Sequence, residues 1–289
     1  MQLNSYTQIK EVMDKFNIAP NKKFGQNFLL DNNVLNKIAN SCNLDKTKSV
    51  LEVGPGMGAL TDRLCTRAKN VVSIEIDRGM IPVLNYTLGE YDNFDIVNGD
   101  VLDKNIREEA FSKLTKPFSV CANLPYYITT PIIMSFLEEC NDVDTMVLMM
   151  QKEVAERICA KPATKDYGIL TLAIQYYADC ELLFTVSPQS FYPKPNVTSI
   201  VIRLTKLDKP RVEVKDRDLL FKVIRSSFNM RRKTIINNLS SSFSLDKATI
   251  SEILQKSNID EKRRGETLSL DEFAVLSDNF YEILHKSID

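Results

Sequence analysis

Val50-Leu51-Glu52-Val53-Gly54-Pro55-Gly56-Met57-Gly58-Ala59-Leu60 decides the fold. Val50–Val53 reads as a buried strand, the glycines at 54, 56 and 58 as a turn, and the residues from Ala59 to Ala68 as an amphipathic helix. The missing glycine side chains let a ligand approach the backbone where that helix begins. The rhythm continues with VVSIEI at 71–76, a helix around 78–90 and FDIVNGD at 94–100. Residues 50 to about 204 therefore read as α/β, with one Rossmann-like doubly wound sheet. Later strands are expected at 145–150, 180–187 and 197–204, the last two short and joined as a hairpin, and helices near 131–140, 151–160 and 166–178.

After Lys206 the composition becomes charged and helix-favouring, and Leu219, Leu220, Val223, Ile224 and Phe228 recur at the spacing of one helix face. Further helices are expected near 232–242, 246–256 and 270–285. The division drawn is residues 1–206, with 1–45 as an N-terminal cofactor-closing segment and first helix, and a small all-helical domain at 207–289.

Several function classes are disfavoured by composition. His285 is the only histidine, which argues against a Ser-His-Asp triad, a histidine metal cluster or histidine general-base catalysis. The six cysteines, at 42, 65, 121, 140, 159 and 180, form no C-x-x-C pair, so neither a zinc site nor a disulfide framework is indicated and a reducing cytoplasm fits. No window approaches the length of a membrane span, and the amino terminus lacks the apolar core of a signal peptide. The net charge of −1 is neutral on partners, but Arg203 to Lys233 carries eleven Lys or Arg against four acids. That stretch, with Arg225, Arg231, Arg232 and Lys233, is either a solvated face or a binding face for phosphates.

Asn123-Leu124-Pro125-Tyr126 follows the apolar run Phe118 to Ala122, at a strand end where open α/β sheets bind ligands. An exocyclic amine on adenine is a poor nucleophile because its lone pair is delocalised into the ring. Acceptors that hold its hydrogens draw the nitrogen out of conjugation. The Asn123 side-chain oxygen and the Leu124 carbonyl suit that task, Pro125 fixes the turn, and Tyr126 offers a flat face for an extruded base. A plain Pro turn after a strand is the alternative.

The glycine turn alone leaves two cofactors open, since Gly54-x-Gly56-x-x-Ala59 also satisfies the dinucleotide fingerprint and Glu75 sits where an acid binds a ribose in either case. Glu52, Gly58 and Asp100 favour S-adenosylmethionine. Asp100 ends the next strand, where it can accept an adenine amino group or simply cap a turn. Phe24 and Phe28 in Lys22 to Leu29 could close over the cofactor or staple the N-terminal segment to the core. Phe191-Tyr192-Pro193-Lys194-Pro195 could hold a ring over the base or merely connect two strands.

Together KKFGQNFL, LEVGPGMGALT, IEID, NGDVL, NLPYYITTPI, FYPKPNVTSIVIRL, SFNMRRKTIINNL and RRGETLSLDEF resemble the ribosomal RNA adenine N6,N6-dimethyltransferases of the KsgA/RsmA type, over nearly the whole chain. The resemblance implies a class I S-adenosylmethionine-dependent methyltransferase fold, and dimethylation of two adjacent adenosines in the 3′-terminal hairpin of 16S rRNA, within the small (30S) subunit or its assembly intermediate. It implies cofactor contacts from Asn27, Leu29, Gly54, Gly56, Glu75, Asp100 and Asn123, leaving S-adenosylhomocysteine as product. Asn123, Leu124 and Tyr126 would hold the amine, with Phe191 as second stacking ring and the basic helices docking on rRNA. No metal and no Cys nucleophile are expected, and nothing requires more than a monomer. The Erm-type large-subunit methyltransferases share the catalytic motifs; Phe228 to Thr234 and Arg264 to Leu268 look like the small-subunit branch. A non-catalytic RNA-binding role is the other alternative, which the intact NLPY argues against.

Overall fold

A computed structural model describes residues 5–21, 24–125 and 128–286. Along the chain come α1 (Tyr6–Phe16), β1 (Phe28–Leu29), α2 (Asn32–Ser41), β2 (Ser49–Val53), α3 (Ala59–Cys65), β3 (Val71–Glu75), α4 (Ile81–Leu88), β4 (Phe94–Asn98), α5 (Lys104–Ser112), β5 (Phe118–Asn123), α6 (Thr129–Glu139) and β6 (Val143–Gln151). Then follow α7 (Lys152–Ile158), α8 (Ile169–Tyr177), β7 (Ala178–Val186), β8 (Phe191–Tyr192), β9 (Ser199–Lys206), α9 (Arg217–Ser227), α10 (Ile235–Phe243), α11 (Lys247–Lys256) and α12 (Leu270–Lys286).

β2 and β3 are buried at every position, the mark of strands covered on both faces, and this is why they read as unbroken apolar runs. Helices start where a side-chain oxygen meets the unpaired N–H groups of the first turn. Ser5 caps α1, Asp31 caps α2 through Asn33 and Val34, and Asp216 caps α9.

The main sheet has the order β4-β3-β2-β5-β6-β9-β7. β2 pairs in parallel with both β3 and β5, and β9 runs antiparallel to β6. The chain thus steps outward from β2 to β4 on one side and restarts at β5 on the other. Above the carboxyl ends of β2 and β5 lies the switch point where such sheets bind ligands. β7 and β9 are neighbours as expected, though they run to nine and eight residues rather than being short.

Two features are absent from the sequence reading. α1 is a second N-terminal helix, burying Ile9 and Val12 in a cluster with Phe28, Met57, Val83 and Leu84. β8 leaves the expected hairpin connection to pair antiparallel with β1, Phe28 opposite Tyr192 and Leu29 opposite Phe191. The Leu30 N–H continues this ribbon onto the Ser190 carbonyl at 2.8 Å.

The chain divides into two compact units, one of residues 1–155 and 180–206 and another of 156–179 and 207–289. The composition change after Lys206 coincides with one junction. The reading of 1–206 as a single domain, however, assigns 156–179 to the sheet. In the structure Tyr167, Leu172 and Tyr176 join Leu220, Ile224, Leu239, Ile253 and Phe273 in the helical core. Cys42, Cys65, Cys121 and Cys140 are free and buried. Among the described residues no helix is long and apolar enough to cross a membrane, and no group of His, Cys, Asp and Glu could hold a metal ion.

Tyr167 is fully buried and its hydroxyl donates to the Leu268 carbonyl at 2.8 Å. Tyr167→Phe leaves that buried carbonyl without its donor, so unfolding free energy should fall by about 1–3 kcal/mol in denaturant titration. An unchanged midpoint would contradict the assignment of 156–179 to the helical core.

Candidate cofactor and base site

The parallel register builds the site. Val53 lies opposite Ile74 on one side and Ala122 on the other, so Gly54, Glu75 and Asn123 end adjacent strands. Gly54 and Gly56 hold φ of 70° and 58°, a left-handed conformation that side chains rarely adopt. A Cβ on Gly54 would meet nothing within 4 Å, whereas one on Gly56 would lie 3.3 Å from the Phe28 ring. The turn therefore faces open space at Gly54 and is roofed by the N-terminal segment at Gly56.

That space is a cleft of about 940 Å³, open mouth included. Its walls include Asn27, Phe28, Leu29, Gly54, Gly56, Glu75, Asn123 and Leu124. Of the seven residues expected to contact cofactor, all but Asp100 are thus brought together. Phe24 and Phe28 share the cleft wall, and Phe28 also belongs to the core under α1.

Two carboxyls sit in or beneath it. Glu52 is 1% exposed and accepts from the Ser73 hydroxyl at 3.1 Å; burial pushes its pKa from 4.5 up to about 7. Glu75 takes the Asp77 N–H on Oε1 at 2.8 Å and the Gly56 N–H on Oε2 at 3.4 Å. Burial outweighs those donors, and its pKa too rises to about 7. A buried carboxyl at a strand end, beside a glycine turn in open space, fits the hydroxyls of a ribose. The residues present therefore fit S-adenosylmethionine.

Asn123 donates from Nδ2 to the Asn27 carbonyl at 3.3 Å, which turns its Oδ1 away from that bond as the acceptor the side chain can offer a ligand. The Pro125 carbonyl already accepts from Thr129 Oγ1 at 3.1 Å and from the Ile128 N–H. Among the described residues this leaves the Leu124 carbonyl as the second acceptor the turn can present. Lys22, Lys23 and Tyr126 lie outside the described residues.

Two expected residues are placed elsewhere. Asp100 is exposed, is not part of the cleft wall, and caps the turn after β4 by accepting from the Leu102 N–H at 2.9 Å. Phe191, expected as the second stacking ring, is 5% exposed, pairs with Leu29 and packs in one cluster with Leu29, Leu35 and Leu60. Ile76 is the residue that sequence reasoning passed over: it is 46% exposed on the cleft wall directly after Glu75, an apolar surface at the ribose end. An aliphatic residue continuing a strand gives no sign of that.

The family model for ribosomal RNA adenine dimethylases matches residues 17–275. The chain belongs to that family. It is similar to the "Ribosomal RNA small subunit methyltransferase A" of Clostridioides difficile (strain 630), at 48% identity over 96% of this chain and 96% of that protein. The protein of the same name in Bacillus cytotoxicus is 50% identical over 93% and 94%. Among solved structures, a dimethyladenosine transferase from Plasmodium falciparum superposes with TM-score 0.73 at 24% identity, covering 90% of this chain and 98% of that one. The 23S rRNA methyltransferase ErmE gives 0.66 at 25% identity, covering 87% and 98%. The fold of this dimethylase is accordingly that of the Rossmann-like methyltransferases.

The basic candidates of the helical unit are unequal. Arg225, Arg232 and Lys233 are exposed. Arg231 is exposed as well but donates from Nη2 to the Lys165 carbonyl at 2.6 Å and lies 3.8 Å from Glu266. Its guanidinium is committed to holding the 165–167 loop.

The raised carboxyls set two pH dependences. The folded dimethylase holds these protons more tightly than the unfolded chain, so their contribution to stability is greatest below about pH 4.5 and declines as pH rises through about 7. Glu52→Gln should flatten that decline in melting temperatures recorded from pH 5 to 8. Cofactor affinity runs the other way, because only ionised Glu75 accepts from two ribose hydroxyls. Calorimetry should show S-adenosylmethionine binding strengthening as pH rises towards about 7, and Glu75→Gln should remove most of that gain.

Proposed function

We propose that this dimethylase transfers methyl groups from S-adenosylmethionine to N6 of two adjacent adenosines in the 3′-terminal hairpin of 16S rRNA, in the small ribosomal subunit or its assembly intermediate. One observation carries the choice of subunit. Proteins named for the small subunit are 48–50% identical over almost the whole chain, while the large-subunit enzyme ErmE is 25% identical. The protein works as a cytoplasmic monomer in this reading.

Bound in the cleft, S-adenosylmethionine supplies an electrophilic methyl group. The chain's own part is to hold and bias the acceptor nitrogen. Asn123 Oδ1 and the Leu124 carbonyl each accept one N–H of the target amine, which pulls its lone pair out of the ring and towards the cleft. Pro125 has no N–H and fixes its own φ, so the turn keeps both acceptors in place. Tyr126 stacks on the extruded base, while Phe191, buried and paired with Leu29, supports the segment that lines the cleft. Protons leave to water, which suits a site without histidine. Asn27, Leu29, Gly54, Gly56 and Glu75, which line the cleft, would hold the cofactor, and Asp100, which lies outside the cleft wall, is the expected acceptor for its adenine amine. The helical unit docks on rRNA phosphates through Arg225, Arg232 and Lys233, and Arg231 shapes the adjoining loop.

Incubated with undermethylated small subunits, the enzyme should yield N6,N6-dimethyladenosine in small-subunit rRNA on nucleoside analysis. Label confined to large-subunit RNA would overturn the reading. Asn123→Ala removes an acceptor needed at the transition state and should slow transfer by about 10²-fold or more. Arg232→Ala with Lys233→Ala should leave cofactor binding intact and reduce the salt slope of subunit binding by roughly one to two units. An unchanged slope would remove the docking role.

A further inference from the structure

The segment between α1 and α2 is anchored through Gln26. Its Oε1 accepts from the Asn21 N–H at 2.8 Å, and its Nε2 donates to Asp77 Oδ2 at 3.0 Å. Asp77 is fixed in turn: Oδ1 accepts from the Gly79 N–H at 3.0 Å, and its own N–H donates to Glu75 Oε1 at 2.8 Å. One side chain thus ties the N-terminal segment to the turn that carries the ribose-facing carboxyl.

The residues just after Gln26 reach both halves of the site. The Asn27 carbonyl accepts from Asn123 Nδ2, Phe28 lies against Gly56, and Phe28 and Leu29 pair with Tyr192 and Phe191. Gln26 lines the cleft, yet both ends of its amide are engaged with protein. Its place is set by the protein on either side of it.

We propose that Gln26 and Asp77 are positioning residues which latch the N-terminal segment over the cofactor cleft, and that this one contact sets both cofactor affinity and the orientation of Asn123. With the latch closed, Asn27 and Leu29 form a wall of the cleft and the Asn27 carbonyl keeps Asn123 Oδ1 turned towards the amine. With it open, the wall and the acceptor are lost together. Coupling of this kind needs a shared element that both sites bias, and the 26–29 segment is that element.

The latch pairs an amide with a carboxylate, and its polarity can be inverted. Gln26→Glu sets two carboxylates against each other and opens it. Adding Asp77→Asn restores every hydrogen bond. The carboxylate at position 26 then accepts both from the Asn21 N–H and from the new amide at position 77, whose oxygen still accepts from the Gly79 N–H. Affinity for S-adenosylmethionine, measured calorimetrically without RNA, should weaken about tenfold in Gln26→Glu, as expected for loss of a charge-assisted hydrogen bond. Transfer to undermethylated small subunits at saturating cofactor should also slow. The Gln26→Glu, Asp77→Asn pair should recover both. A Gln26→Glu enzyme with unchanged cofactor affinity, or a double variant no better than the single one, overturns the proposal. So does a melting temperature that moves while affinity does not, since that is the signature of a contact serving stability alone. Because affinity is read without RNA, failure of the small-subunit reading would leave this result standing.

Discussion

The site depends on one constraint, the parallel register of three central strands. Hydrogen-bonded strands lie about 4.8 Å apart, and each residue's place in the ladder decides which face and which end it presents. With Val53 level with Ile74 and Ala122, the next step on each strand delivers Gly54, Glu75 or Asn123 to the same edge. A slip of one residue would turn the Glu75 carboxyl to the other face and separate cofactor from amine. The burial of β2 and β3 at every position makes that slip costly, so packing of the sheet is what holds the chemistry in place.

The same burial works against the charges it positions. Glu52 and Glu75 are desolvated enough to hold their protons near neutral pH, a local cost to stability that an apolar pair would avoid. A positively charged sulfonium cofactor in the cleft offsets part of it. Sites of this kind are where local rules of stability are expected to give way to function.

How much of this could be read from the chain follows from how each residue signals. Strands covered on both faces announce themselves as unbroken apolar runs, so VLEV, VVSIE and FSVCAN, and with them the site at their ends, were legible. A two-residue ribbon such as β1–β8 has no period to detect, and Phe191 between Ser190 and Tyr192 reads the same whether buried or exposed. The run ILTLAIQYY in α8 is apolar enough to pack on a sheet or on helices, so its membership in the helical unit could not be told. A cluster such as Arg231-Arg232-Lys233 shows charge but not which guanidinium binds its own backbone. Asp100 carried two readings from the outset, and the turn cap is the one visible here.

The most direct test is a crystal structure of the enzyme with S-adenosylhomocysteine and an adenosine-bearing RNA hairpin. The ribose should lie on Glu75, the sulfur beside the turn at Gly54, and the extruded N6 amine within hydrogen-bond reach of both Asn123 Oδ1 and the Leu124 carbonyl. An amine bound away from those two acceptors, with the cofactor in the cleft, would contradict the central claim.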